Sequence, residues 1–213
     1  MTIWTAGGMD RDTIWRHIDT QRSALADILG TLSEEAWRTP SLCATWTVRD
    51  VAAHLTFSHA SVRELLGTAV RSGFRYNTAV REAALQSPLS HEQIIDQLRS
   101  FIGSRRTVPF VSEREPLLDI LIHTQDICLP LDIDHPMPTD AAVVALERVI
   151  WWSRRFPLGP RLRDVHLVAT DVAWEWGSGR RVEGPVQWLL LAAAGRVVAH
   201  EHLSGQIGRG ALT

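Results

Sequence analysis

The sequence contains no lysine, and all 22 of its basic residues are arginine. This absence excludes Schiff-base chemistry by a lysine of this chain, and it leaves anion binding to planar, permanently charged guanidinium groups. Acidic and basic residues nearly balance, giving a formal net charge of −2. Because neutralisation of nucleic-acid phosphates needs clustered surplus positive charge, we expect no nucleic-acid partner.

Long hydrophobic runs are also missing, and cysteine is scarce. No stretch of about 18 apolar residues occurs, and the first ten residues do not join a basic segment to an apolar one. We therefore expect no membrane span, no signal peptide and a cytoplasmic location. The two cysteines, Cys43 and Cys128, are too few for a disulfide framework, so free buried thiols are expected.

Helical periodicity dominates most of the chain, which has 213 residues and 45% hydrophobic content, enough for one large domain or a domain with a small appendage. A capping-box pattern from Thr47 to Asp50 starts the second helix, and Ser90 can cap the third. The segment 67–88 is expected to be a partly helical loop. The pattern predicts helices over about 10–32, 47–66, 90–103, 116–130 and 139–156.

Beyond Pro157 the hydrophobic period changes from helical to alternating. We predict strands over about 165–170, 173–177 and 197–203, with a short helix over about 185–194 between the last two. The expected architecture is mainly α: a helical bundle over residues 1–157, followed by a small α+β unit over 158–213.

A narrow polar seam crosses the fourth predicted helix, where Asp119, His123 and Asp126 fall within a stripe of roughly 60° among leucines and isoleucines. Asp119 and His123 are four residues apart and therefore point the same way, a spacing that suits two ligands of one metal ion. The solvent face of an ordinary surface helix would also be polar. These residues alone leave both interpretations open.

A third metal ligand would have to come from elsewhere, and His54 is the candidate because the second predicted helix places it at the edge of an apolar face. Two histidines and one carboxylate leave zinc an open fourth position, as in catalytic sites. The alternative is that His54 is a packing residue. Asp126 could orient His123 by accepting its other ring N–H, or it could pair with an arginine.

Two stretches carry a resemblance to a known family: WRTPSLCATWTVRDVAAHL at 37–55 and DILIHTQD at 119–126. Together they resemble the mycothiol-dependent maleylpyruvate isomerase family of the DinB-like superfamily. The later segments TDVAWEWG and EGPVQWLLLAAAGR are similar to the small C-terminal domain of that family. The resemblance implies a DinB-like four-helix bundle with a C-terminal α+β unit.

The resemblance also implies a site. Zinc, or another divalent metal, would be held by His54, Asp119 and His123. The thiol cofactor mycothiol would bind at the same site, and Arg196 would face it as a catalytic residue. The family pattern has glutamate at the position of Asp119, one methylene longer.

The expected function is therefore that of a zinc-dependent, mycothiol-using transferase or isomerase, in which the metal activates a thiol for attack on a small electrophile. The alternative is a DinB-like protein that binds metal and a small molecule without turnover. Neither cysteine has sequence neighbours that indicate a nucleophile, and Arg105 and Arg106 are interpreted as surface charges. The sequence does not distinguish a monomer from a homodimer.

Overall fold

The structure is a computed structural model that describes residues 8–59, 84–107, 111–155, 162, 164–205 and 207. The described chain is mainly helical with a small three-stranded sheet near its C-terminus, which confirms the predicted fold class. It divides by its contacts into two compact units, one formed by Trp15–His135 and the other by Met1–Ile14 with Pro136–Thr213. The domain boundary predicted after residue 157 stays a prediction.

The longer helices of the first unit lie where the hydrophobic pattern predicts them. They are α1 (Arg11–Gly30, which begins before the unit boundary), α3 (Val48–Leu55, continued by a 3₁₀ turn over Thr56–His59), α4 (His91–Ser100) and α5 (Arg114–Cys128, continued by a 3₁₀ turn over Leu129–Leu131). The short helix α2 (Glu34–Trp37) was not predicted. The predicted continuation of the second helix to residue 66 and most of the expected loop over 67–88 lie outside the described residues. Among the helices that are described, none is both long and apolar enough to cross a membrane.

Capping boxes define where α3 and α4 begin. Thr47 accepts a hydrogen bond from the backbone N–H of Asp50, and the Asp50 carboxylate accepts one from the Thr47 N–H at 2.9 Å. Ser90 and Gln93 form the same reciprocal pair at the start of α4. Each cap satisfies backbone donors that the helix itself leaves unpaired and contributes about 1 kcal/mol. The α3 cap fixes the helix that carries His54.

The first unit has a continuous apolar core to which α1, α3, α4 and α5 all contribute. Its members are fully or almost fully buried: Leu25, Ala26, Leu29, Trp37, Val48, Val51, Ala52, Ala53, Leu55, Ile94, Leu98, Ile120 and Ile127. Because α3 and α5 both bury apolar faces in this core, they are held at a fixed separation.

The second unit contains α6 (Thr139–Arg155), β1 (Val165–Ala169), β2 (Glu175–Gly177), β3 (Arg180–Gly184) and α7 (Val186–Ala193). The strand order is β2-β1-β3, with β1 antiparallel to β2 and parallel to β3. Leu167 in the central strand is opposite Trp176 on one side and Val182 on the other. The sequence reading missed β3.

The strand predicted over 197–203 is wrong, because Val197–His202 forms a 3₁₀ helix. Alternation of side-chain type there is not matched by alternation of burial: Val197 is 57% exposed and Ala199 is fully buried. In the described part of the chain, the pairing with β3 near this segment is a single bridge between Glu183 and Ser204, the residue that follows the predicted strand. His202 at the end of this 3₁₀ helix stacks on Trp188 of α7 at 3.6 Å between ring centroids.

Candidate metal centre

Three side chains from two helices converge in the first unit. His54 lies on the last turn of α3, while Asp119 and His123 lie one turn apart on α5. Oδ1 of Asp119 is 3.4 Å from Nε2 of His54 and 3.3 Å from Nε2 of His123. One ligand atom from each residue lies within 4.8 Å of the other two. The structure therefore brings together all three residues that the sequence proposes as ligands.

The two distances match the spacing of ligands around a metal. Zinc bonds of about 2.0–2.1 Å in tetrahedral geometry place neighbouring ligand atoms about 3.3 Å apart, whereas hydrogen bonds between such groups measure about 2.7–3.2 Å. The two contacts of Asp119 with histidine nitrogens fall at the first value. Two imidazole nitrogens and a carboxylate oxygen thus fit a divalent cation such as Zn²⁺, and three protein ligands leave one position open.

The charges and hydrogen bonds around Asp119 and His123 set the protonation states that a cation would meet. Burial raises the pKa of Asp119, but the charge of His54 and hydrogen bonding to His123 outweigh it, so the pKa lies well below its usual range. Burial lowers the pKa of His123, but its hydrogen bonds with Asp119 and Asp126 outweigh that effect, and the pKa lies well above its ordinary value. In the metal-free protein Asp119 is therefore an anion, and a proton competes for His123.

The far side of His123 is held by Asp126. Oδ2 of Asp126 lies 2.8 Å from Nδ1 of His123, and the Asp126 side chain is fully buried. A buried carboxylate that accepts the Nδ1 proton leaves the Nε2 lone pair for a metal. This end of the polar seam consequently does not face solvent.

Cys43 is a member of the site that the sequence reading missed. Its Sγ lies 3.0 Å from the same Oδ2 of Asp126 and 3.7 Å from Nδ1 of His123. The residues next to Cys43 in the chain do not indicate this role, because its partners are 80 and 83 residues away. Both cysteines are free thiols as expected, but Cys43 is only partly buried. Burial raises the pKa of the other cysteine, Cys128, to about 12.

The group formed by Cys43, His123 and Asp126 is also compact enough to be considered as a second metal site. Its distances of 2.8 and 3.0 Å, however, are those of hydrogen bonds and are shorter than the spacing of about 3.3 Å expected for metal ligands. We therefore interpret this group as a hydrogen-bond chain behind His123.

Aromatic rings border the two histidines. The ring of Trp46 lies 5.3 Å from that of His54 and 6.4 Å from that of His123, and Phe57 meets His54 edge-on at 6.4 Å. Nδ1 of His54 is buried and has no hydrogen-bond partner within the described part of the chain. Packing therefore holds His54, whereas hydrogen bonds hold His123.

A buried arginine that no sequence pattern indicated, Arg22, lies near the carboxylate of Asp119. Arg22 donates a hydrogen bond of 2.8 Å to the carbonyl of Phe101, and its side chain is 3% exposed. A cavity of about 10 Å³ is lined by both Arg22 and Asp119. Burial lowers the pKa of Arg22, while the charges of Asp19 and Asp119 oppose this effect. Arg22 thus contributes positive charge on the Asp119 side of the centre.

Two of the other arginines that the sequence singles out are Arg105 and Arg196. Arg196 belongs to the second unit, at the start of the 3₁₀ helix, where it donates a hydrogen bond of 2.8 Å to the carbonyl of Ala194. Arg105 is half exposed and lies over the ring of Trp15, as a surface charge would. The role of Arg196 stays a prediction.

Comparison with known proteins finds a family that part of this chain resembles. Residues 18–108 match the family model described as the mycothiol maleylpyruvate isomerase N-terminal domain. This match covers 91 of the 213 residues, so this part of the chain is similar to the N-terminal domain of that family. The segment matched to this family includes Cys43 and His54, and it ends before Asp119 and His123.

Solved structures of the mycothiol-dependent maleylpyruvate isomerase have a similar fold. That of a histidine-to-alanine mutant aligns with a TM-score of 0.62 at 13% identity, covering 95% of this chain and 96% of that chain. A second structure of the isomerase aligns with a TM-score of 0.55 at 13% identity, covering 88% and 90%. A sequence search of curated proteins finds no match. At this identity the likeness to the maleylpyruvate isomerase shows the fold alone.

Proposed function

We propose that this protein is a zinc-dependent, mycothiol-using transferase or isomerase that acts on a small electrophile. The observation that carries the proposal is the placement of two histidine nitrogens 3.3 and 3.4 Å from one oxygen of Asp119. The similarity of residues 18–108 to this family supports mycothiol as the thiol, because the family takes its name from a mycothiol-dependent isomerase.

In this proposal His54, Asp119 and His123 hold the metal, and Asp126 keeps the Nε2 atom of His123 available for it. When bound, a divalent cation with an open position lowers the pKa of a thiol that enters it, so that the thiol reacts as a thiolate at neutral pH. The thiol of Cys43 is directed at Asp126 at 3.0 Å. We therefore assign the attacking thiol to the cofactor and not to a cysteine of this chain.

We propose that Arg196 binds an anionic group of the substrate or cofactor, as the resemblance of the segment 183–196 to the family's C-terminal domain implies. A guanidinium can bind a carboxylate through two parallel hydrogen bonds.

Cobalt substitution tests the proposed function. The protein is loaded with Co²⁺, titrated with mycothiol, and followed for the charge-transfer absorption that a sulfur ligand produces and that water or carboxylate ligands do not. We expect this band, together with thiol-dependent consumption of an electrophile from a panel that includes maleylpyruvate. The band without turnover of any electrophile would favour the alternative, a protein that binds metal and a small molecule without catalysis.

Two ligand variants and a second thiol sharpen the experiment. His54→Ala and His123→Ala should each lose most of the bound metal, since removing one of three ligands removes much of the affinity. Retention of one equivalent of metal by both variants would show that the metal is bound elsewhere. If glutathione gives the same charge-transfer band at lower concentration than mycothiol, the metal-activated thiol chemistry is supported but mycothiol is not the partner. Only contacts beyond the metal can distinguish the two thiols.

A further inference from the structure

Cys43 contacts the carboxylate that holds His123, although it is not itself among the proposed ligands. We propose that Cys43 is a positioning residue of the metal centre: its thiol holds the Asp126 carboxylate in the orientation that accepts the Nδ1 proton of His123, which keeps Nε2 of His123 directed at the metal. The inference rests on the proposed function, in which His123 is a metal ligand.

The geometry of the shared oxygen supports this role. Cys43 Sγ at 3.0 Å and His123 Nδ1 at 2.8 Å both contact Oδ2 of Asp126, so the two donors fix the direction of one carboxylate oxygen. Asp126 is fully buried, so bulk water does not compete for that oxygen. An ionised carboxylate can only accept hydrogen bonds, so its contact with His123 requires a proton on Nδ1, and Nε2 is then the nitrogen that can bind a metal.

The backbone around Cys43 is attached to the same point of α5. The N–H of Leu42 donates to the carbonyl of Asp126 at 3.2 Å, so the loop is bonded to both the backbone and the side chain of this residue. The hydroxyl of Ser41 accepts from the N–H of Cys43 at 3.2 Å and donates to the carbonyl of Trp46 at 2.9 Å, which closes the loop. The position of the Cys43 sulfur is consequently set by the fold.

A thiol suits this position chemically. The S–H group is a weak donor, so it orients the carboxylate while leaving most of the negative charge on Oδ2 for the imidazole. A cation at the same place would neutralise Asp126 and weaken its hydrogen bond with His123. Cys43 therefore constrains direction with little loss of acceptor strength.

The test compares Cys43→Ala with Cys43→Ser. Alanine and serine are nearly equal in size, so the pair separates loss of the hydrogen-bond donor from loss of packing. Cys128→Ala is the matched control, because Cys128 is a buried thiol on α5 that has no part in the centre. The first readout is the Nδ1-bound proton of His123, observed by NMR in ¹⁵N-labelled, metal-free protein and assigned with His123→Ala. The second is the zinc dissociation constant, measured by competition with a chromophoric chelator.

In Cys43→Ala we expect the slowly exchanging ring proton to be lost and zinc affinity to fall about tenfold, the size of effect typical of residues behind a ligand. Cys43→Ser should keep the ring proton and bind zinc within about threefold of the parent protein, and Cys128→Ala should change neither. An unchanged ring proton in Cys43→Ala overturns the inference, as does equal impairment of the alanine and serine variants, which would indicate packing. If the parent protein binds no zinc while its ring proton still depends on the donor at position 43, the positioning role stands and the proposed function fails.

Discussion

Replacing Asp126 by asparagine is the sharpest test of how the centre is built, because the two side chains have the same shape and differ in charge. Asp126 is fully buried, and its Oδ2 accepts hydrogen bonds from Nδ1 of His123 at 2.8 Å and from the thiol of Cys43 at 3.0 Å. An amide that turns its NH₂ group toward His123 forces the ring proton onto Nε2, where it blocks the metal. An amide that keeps its oxygen there still lacks the negative charge.

Either orientation weakens metal binding. Loss of such a partner behind a ligand typically lowers metal affinity 10- to 100-fold, which corresponds to about 1.4 to 2.8 kcal/mol. The metal-free protein should also lose stability, by about 1 to 3 kcal/mol, since a hydrogen bond between charged groups becomes a neutral one inside the protein. Asp119→Asn, which changes a proposed ligand directly, should weaken metal binding at least as much.

The assay measures zinc affinity of Asp126→Asn by chelator competition and its unfolding free energy in the presence of a chelator. Asp27→Asn is the control, because Asp27 pairs with Arg99 at 3.1 Å with 69% of its side chain exposed, and surface pairs of this kind contribute at most about 1 kcal/mol. Zinc affinity of Asp126→Asn within twofold of the parent, in a folded protein, would refute the interpretation that Asp126 orients His123.

Three further predictions follow from other features of the structure. Because the pKa of His123 is raised in the folded protein, the metal-free protein should lose stability as pH rises above about 6.5. Zinc competes with the proton on His123, so zinc should bind more tightly over the same pH range. Thermal melts with chelator and with zinc should therefore diverge as pH increases, and parallel curves would contradict the shift. Arg196→Met should weaken binding of an anionic substrate or cofactor in calorimetry while changing the melting temperature little, and the reverse pattern would make Arg196 structural. Thr47→Ala and Ser90→Ala remove equivalent capping boxes, and each should lower the unfolding free energy by about 1 kcal/mol in chemical denaturation. Only Thr47→Ala, on the helix that carries His54, should also lower zinc affinity. Equal zinc binding by the two variants would show that the α3 cap does not affect the metal centre.

The parts of the fold that depend on local sequence were predictable. Helical periodicity and capping residues act within a few positions, and the starts of α3 and α4 follow directly from Thr47 and Ser90. The strand predicted over 197–203 failed because alternating residue types indicate a strand only when one face is buried against a sheet, and here the described bridge to β3 is made by Ser204, after the segment.

In the metal centre, too, local contacts could be predicted from the sequence and long-range contacts could not. Asp119 and His123 could be paired from the sequence because four residues on one helix fix their relative direction. Their proximity to His54 depends on the packing of α3 against α5, which no local pattern encodes, and the family resemblance supplied it. The contact of Cys43 with Asp126 spans 83 residues and joins a loop to a helix, so neither periodicity nor spacing could indicate it.

The loop over 41–47 supports both His54 and His123, each through a different side chain. Through Cys43 it reaches the hydrogen-bond chain behind His123, and through Trp46 it packs a ring against His54, whose Nδ1 has no partner in the described segments. Thr45 between them has φ of 69°, a left-handed conformation that costs a β-branched residue of the order of 1–3 kcal/mol and persists only where the surroundings enforce it. Since the next turn of chain is the α3 cap at Thr47, the backbone that holds this strained residue also sets the start of the helix carrying His54. A change in this loop should therefore act on both proposed histidine ligands together, although the loop itself supplies neither of them.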